Sequence, residues 1–373
     1  MMDSDARFDR HLLLPGWDQR RLAAATVVIV GVGALGNVAA QALALAGVGR
    51  LVLCDMDRIE ASNLSRAPLF TAADLDRLKV EAAQDGLARI APNTRVERRA
   101  DRLEHALGLA ELRDADLVLG CLDSRAARLT LAGRCGLVGA PWIDGATGPW
   151  SGEVRPYLDP DGPCYGCGMS AADRAPDDAL AHLRRSCRLP GDGNPTDRVG
   201  ATAPLSALIG NLMALLAVRC LMGLPVPADL LELDGATGTT VRVRQQRDPA
   251  CPYHSRLPAA RPLPLGPAPT VADLCAALPA DAVPLAWTPI QLAVVCRRCG
   301  FREDRLGLVA AADCPGCGAP LGARTTLELN RAPQSQTLAR LGIPARELLA
   351  VRRPDGIEIV ELVLPSSSSD SIS

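Results

Sequence analysis

TVVIVGVGALG, residues 26–36, is a short β-branched strand that runs into glycines at positions 31, 33 and 36. The Ala- and Leu-rich stretch NVAAQALALAGV follows, and LVLCD at 51–55 reads as a second buried strand. Together they make one βαβ unit around a G-x-G-x-x-G turn. In such a turn Gly31 permits the tight bend, Gly33 lets a phosphate approach the backbone, and Gly36 lets the helix pack close to the strand. The new helix N-terminus then offers unpaired N–H groups to anionic oxygens. Asp55 ends the second strand at the spacing of a ribose-hydroxyl acceptor. Taken alone, this unit suits NAD, FAD or ATP about equally.

Further along, DLVLGCLD at 116–123 reads as a later strand with functional residues at its C-terminal end, and residues 140–144 as another. Strands alternating with helical stretches predict an α/β fold: a Rossmann-like, doubly wound, mostly parallel sheet with helices on both faces. The chain has 373 residues, enough for more than one domain, and its 48% hydrophobic content argues against disorder over most of its length. A net charge of -2 and 3% aromatics give no basis for nucleic-acid binding or for an anionic membrane surface. The uncharged run from Val199 to Val218 has a membrane-spanning length, but Thr202, Pro204, Ser206 and Asn211 interrupt it, so a buried core helix is expected. Asp3, Asp5, Arg7, Asp9 and Arg10 crowd the N-terminus, where no apolar leader is visible. With 13 cysteines, several of them in tight pairs, this points to metal thiolates in a reducing cytoplasm rather than to disulfides. The expected division is residues 1–254 as a nucleotide-binding domain, 255–270 as a proline-rich linker, 271–364 as a small C-terminal zinc-ribbon/β domain, and 365–373 as a disordered serine-rich tail.

The residues after Asp55 separate the nucleotides. DMDRIEASNLSR (55–66), LKVEAA (78–83) and GCLDSRAAR (120–128) supply Asn63, Arg66, Lys79 and Asp123. Hydride transfer needs no such set of cations, which counts against an NAD-dependent oxidoreductase. A triphosphate being cleaved does need it, because charge builds on the departing pyrophosphate and a carboxylate can hold Mg2+. Asp57 is a second acid in this stretch and ranks behind Asp55, since it also suits a turn.

At this point the chain resembles the MoeB/ThiF/HesA family, relatives of the ubiquitin-activating enzymes. RFDRHLLLPGWDQ (7–19) matches the family's opening pattern, and GVGALG, LCDMDRIEASNLSR, RLKVEAA, GCLDSRAAR and GPCYGC then arrive in family order over residues 7 to 254. The resemblance implies an ATP-dependent adenylyltransferase that converts the C-terminal glycine carboxylate of a ubiquitin-like or sulfur-carrier protein, one with a Gly-Gly tail, to an acyl adenylate. It further implies Asp55 as the ribose ligand, Arg66 and Lys79 as the phosphate pair with Asn63 beside them, and Asp123 as the Mg2+-linked acid. Arg10 would reach the γ-phosphate across a homodimer interface. A conjugating enzyme, a protease or a sulfurtransferase would act downstream. A relative that adenylates a modified tRNA base, as threonylcarbamoyladenosine dehydratases do, is the alternative; such chains typically lack cysteine knuckles.

Three further cysteine features stand out. Cys187, in RRSCRLPGDGNPTDRVG, lies where some family members carry a reactive cysteine; Arg184, Arg185 and Arg188 beside it favour the thiolate, and an ordinary exposed thiol fits equally well. Cys164-x-x-Cys167 and Cys251-x-x-His254 match a pair of family knuckles around structural zinc, with His254 in place of the last cysteine. Cys296-x-x-Cys299 and Cys314-x-x-Cys317 form a C-x2-C-x14-C-x2-C zinc ribbon, each knuckle followed by a glycine. Two structural Zn2+ sites are therefore expected, and the segment after the ribbon should form a short helix and a β-hairpin over Pro354–Gly356.

Overall fold

The computed structural model describes residues 6–170, 200–306 and 313–365. Cys187 and the serine-rich tail from residue 366 lie outside the described residues. The chain divides into two compact units. Among the described residues, the first holds those up to 103, 112–170 and 200–256, and the second holds 104–111 and those from 257 onward.

In the first unit the βαβ pattern becomes a single sheet. Its strands are β1 (Thr26–Val30), β2 (Arg50–Cys54), β3 (Arg95–Arg99), β4 (Leu117–Gly120), β5 (Trp142–Thr147), β6 (Ser151–Tyr157), β7 (Leu230–Asp234) and β8 (Thr239–Val243). Their order is β3-β2-β1-β4-β5-β6-β7-β8. β3 through β5 pair in parallel, and β6, β7 and β8 extend the sheet antiparallel. The apolar runs in β1, β2 and β4 reflect burial on both faces: Val27, Val28, Ile29, Leu51, Val52, Leu53, Leu117, Val118 and Leu119 are all fully buried. The chain leaves β1 toward β2 and later leaves β4 toward β5. Right-handed crossovers therefore place the helices Ala34–Leu45 and Arg125–Val138 on opposite faces, and a crevice opens between the C-terminal ends of β1 and β4.

The apolar run near residue 200 is the helix Ala203–Leu221, capped by Thr202, whose hydroxyl accepts the Leu205 N–H. It is the one described helix long and apolar enough to cross a membrane. Its buried side, with Leu205, Ile209, Met213 and Ala217, joins the same core as the helix Ala34–Leu45. Gly210 lets the two helices pack closely: a Cβ there would sit 2.9 Å from Val38.

The second unit is a six-stranded sheet. Besides β9 (Arg261–Pro264) it contains β10 (Val283–Val295), β11 (Arg302–Asp304), β12 (Gly322–Glu328), β13 (Leu348–Arg353) and β14 (Gly356–Val363). β13 and β14 form the expected hairpin, closing from Arg353 to Gly356. The short helix before it is a single 3-10 turn, Ala339–Leu341. The proline-rich stretch 255–270 differs from the expected linker. Its residues 261–264 pair in parallel with β14 as the sheet's edge strand. An edge strand tolerates Pro262 and Pro264 because one side of its ladder needs no donors, and Leu263 adds a buried side chain to the core.

Candidate nucleotide site and metal clusters

The glycine turn is built as its sequence requires. Gly31 has φ +90°, and its N–H donates to the Cys54 carbonyl at 2.8 Å. A side chain on Gly31 would collide with the Cys121 carbonyl, and one on Gly36 would lie 1.9 Å from the Gly31 carbonyl oxygen. These two glycines let three backbone segments meet. Gly33, the N-cap of the helix Ala34–Leu45, is different: an added Cβ would meet no atom within 4 Å. That open space in front of a helix N-terminus suits a phosphate group.

Asp55 follows β2 and faces the turn. Its Oδ2 accepts the Val32 N–H at 2.7 Å, and its Oδ1 accepts the Asp57 N–H at 2.8 Å. Burial pushes its carboxyl pKa up, with Lys79 opposing and Asp57 adding to the rise. The acid singled out as a ribose acceptor thus also clamps the glycine turn to β2. Each of its oxygens keeps a second lone pair for a hydroxyl.

Lys79 opens the helix Lys79–Ile90 and is nearly buried. Its ammonium donates to Asp57 Oδ2 at 2.7 Å. Burial works against its charge, but Asp55, Asp57 and Asp123 outweigh that and raise its pKa. The structure therefore gathers Asp55, Asp57, Lys79 and Asp123 at the C-terminal edge of the sheet, from segments far apart in sequence. Asp123 itself is exposed, just beyond β4 and before the helix cap Ser124.

Arg66 and Asn63 are engaged locally. The Arg66 Nη1 donates to the Ser62 carbonyl at 2.6 Å, and the Asn63 Oδ1 accepts the Glu60 N–H at 3.0 Å as part of a capping box. Arg10 is exposed on a short N-terminal helix, Asp9–Leu12, followed by exposed Leu13 and Leu14.

Two groups were passed over in the sequence reading. Asp144 on β5 is wholly buried, and burial pushes its pKa up to about 7 against the pull of Arg128 and Arg155. Arg128 lies inside the motif GCLDSRAAR, and its side chain is only 14% exposed; nothing in the local sequence marks it as facing Asp144.

The cysteine clusters assemble as their spacing requires. In the first unit, Cys164 Sγ lies 3.7 Å from Cys167 Sγ and 3.5 Å from Cys251 Sγ, and Cys167 Sγ lies 3.1 Å from His254 Nε2. In the second, Cys296–Cys317 and Cys299–Cys314 sulfur pairs lie 3.5 and 3.4 Å apart. Four thiolates on one tetrahedral ion with bonds near 2.3 Å stand ~3.8 Å apart, so both clusters can hold a metal ion after small adjustments. The first is knitted into the fold. Gly166 has no room for a side chain against Tyr253, and a Cβ on Gly136, in the helix Arg125–Val138, would lie 2.6 Å from the Tyr253 carbonyl.

Comparison with known proteins points to one family. The model of the ThiF family matches residues 8–253. The molybdopterin-synthase adenylyltransferase of Escherichia coli is 34% identical over 252 residues, covering 66% of this chain and 94% of that protein. The sulfur carrier protein adenylyltransferase of Thermus thermophilus is 33% identical over 267 residues, covering 69% and 93%. Among solved structures, Escherichia coli MccB with ATP superposes with a TM-score of 0.52 at 21% identity, covering 64% of this chain and 68% of that one, a likeness of fold.

Proposed function

Because this chain belongs to the ThiF family, we propose that it is an ATP-dependent adenylyltransferase whose acceptor is the C-terminal glycine carboxylate of a ubiquitin-like or sulfur-carrier protein. The observation that carries the reading is the convergence of Lys79 with three carboxylates beside an open Gly33 turn. A carboxylate is a poor acyl donor because oxide leaves badly. Attack of a carboxylate oxygen on the α-phosphorus of ATP expels pyrophosphate and leaves an acyl adenylate, from which AMP departs readily to a thiol or sulfide. The chain supplies position and charge.

In this reading the free N–H groups at the start of the helix Ala34–Leu45 and the ammonium of Lys79 receive phosphate oxygens. Arg66 joins them by leaving the Ser62 carbonyl. Asp55 takes a ribose hydroxyl on the lone pairs not used by Val32 and Asp57. Asp123 would hold Mg2+, a hard cation that suits an exposed carboxylate and neutralises phosphate charge. Arg10 is assigned to the nucleotide of a second copy in a homodimer; the exposed leucines 12–14 beside it support a surface that becomes covered. Both cysteine clusters are assigned structural Zn2+, since each offers four ligands and leaves no open position. Metal-binding cysteine clusters of this kind suit a reducing cytoplasm. The second unit is proposed to dock the carrier or its downstream acceptor.

The test is isotope exchange between pyrophosphate and ATP with a panel of purified carriers ending in Gly-Gly. Exchange should require such a carrier and vanish when its last glycine is removed. Asp123→Ala should lower the rate by about 10²–10³. Exchange without any carrier, or undiminished exchange in the variant, refutes the assignment.

A further inference from the structure

Arg128 sits on the first turns of the helix Arg125–Val138 and points back under the strand ends. Its Nη2 donates to the Leu122 carbonyl at 2.6 Å and reaches the Gly145 carbonyl at 3.4 Å. Its Nε lies 3.4 Å from Asp144 Oδ1. One guanidinium thereby laces the turn after β4 to the middle of β5. Leu122, whose carbonyl it holds, immediately precedes Asp123. The Asp144 carboxylate is fully buried and its oxygens have no hydrogen-bond partner in the structure, so the charges of Arg128, its ion-pair partner, and of Arg155 are what offset its burial. The side chain of Arg128 is itself only 14% exposed. A planar guanidinium can hold two carbonyls with one nitrogen while another faces the carboxylate as an ion pair; a compact ammonium on a flexible stem has no such fixed, extended geometry.

We propose that Arg128, backed by buried Asp144, is a positioning residue for adenylation: it fixes the turn that aims Asp123 at the bound Mg2+. It does not touch the nucleotide. The inference rests on the reading of Asp123 given above. It also explains why a buried acid stands on β5, where an apolar side chain would pack at lower cost.

The experiment measures ATP affinity by calorimetry, with Mg2+ and with excess EDTA, for wild-type protein, Asp123→Ala, Arg128→Ala, Arg128→Lys and the double variant Arg128→Ala/Asp123→Ala. Wild-type protein should bind ATP more tightly with Mg2+ by about tenfold or more, and Asp123→Ala should lose that gain. Arg128→Ala should lose it as well while keeping wild-type affinity in EDTA, and Arg128→Lys should not restore it. The double variant should match Asp123→Ala, because both changes remove one effect. Should Arg128→Ala fail to fold with Asp144 left unpaired, Arg128→Met/Asp144→Asn removes both charges and serves in its place. A full Mg2+ gain in a folded Arg128 variant, or additive losses in the double variant, overturns the positioning role and leaves the adenylation reading standing. No Mg2+-dependent ATP binding by wild-type protein overturns both.

Discussion

The glycine turn separates what the fold requires from what a ligand requires. Gly36→Ala puts a methyl group 1.9 Å from the Gly31 carbonyl oxygen, which is backbone and cannot swing aside. The strand and helix must part, at a cost of about 3 kcal/mol. For a unit of this size that is a fall in Tm on the order of 10 °C. Gly33→Ala adds the same methyl group where no protein atom lies within 4 Å. Gly33 has φ -74° and ψ -150°, extended backbone that alanine also adopts. Losing a good N-cap residue costs roughly 0.5–1 kcal/mol, and the stiffer unfolded chain returns about 0.4–1 kcal/mol. Stability should therefore stay within about 1 kcal/mol of wild type. If phosphate occupies that space, the methyl group displaces it by more than an ångström, and ATP affinity should drop about 10–100-fold, or ~1.4–2.7 kcal/mol. Thermal denaturation and calorimetric titration with Mg·ATP check both halves on the same samples. Wild-type ATP affinity in Gly33→Ala, or a loss of Tm matching that of Gly36→Ala, refutes the placement of phosphate at this turn.

Two other outcomes follow from the charges and the cysteines. Glu97 is held down to about 2, first by its hydrogen bonds to Arg50 and then by Arg50 and Arg99 charges. Its folded pKa lies below its unfolded one, so its contribution is complete above pH ~4.5 and is lost as pH falls toward 2. Acid titration of stability should show Glu97→Gln lacking a component of no more than about 3 kcal/mol in that window; an unchanged acid limb excludes it. Metal analysis of purified chain should give two zinc ions, and Cys167→Ser should retain one. Because Gly136 packs on the knuckle residue Tyr253, that variant should also melt earlier, and an unchanged Tm separates the cluster from the helix after Asp123.

How much of this was legible in sequence depends on the distance over which the physics acts. The βαβ unit was readable because β-branched runs and glycine spacing report local backbone geometry, and the strands at 26–30 and 50–54 fall where those signals are. The cysteine clusters were readable because ligand chemistry is written in the spacing of each knuckle, even though Cys164 and Cys251 meet across 87 residues. The linker expectation at 255–270 did not survive, because proline density reports a missing donor, and an edge strand lacks the need for that donor as surely as a linker does. The pairing of Arg128 with Asp144 left no trace in periodicity or spacing. It depends on the parallel crossover that sets β4 beside β5, and nothing local fixes which buried acid a helix arginine will meet. The same limit holds for Lys79. Its place on a helix reads as solvated surface until the C-terminal ends of β2 and β4 bring Asp55, Asp57 and Asp123 around it. The acids stabilise the ammonium, but three carboxylates around one cation leave a net negative cluster at a strand-end crevice. A metal cation relieves that repulsion, and this is the physical argument for proposing that the cluster serves a metal-bound nucleotide.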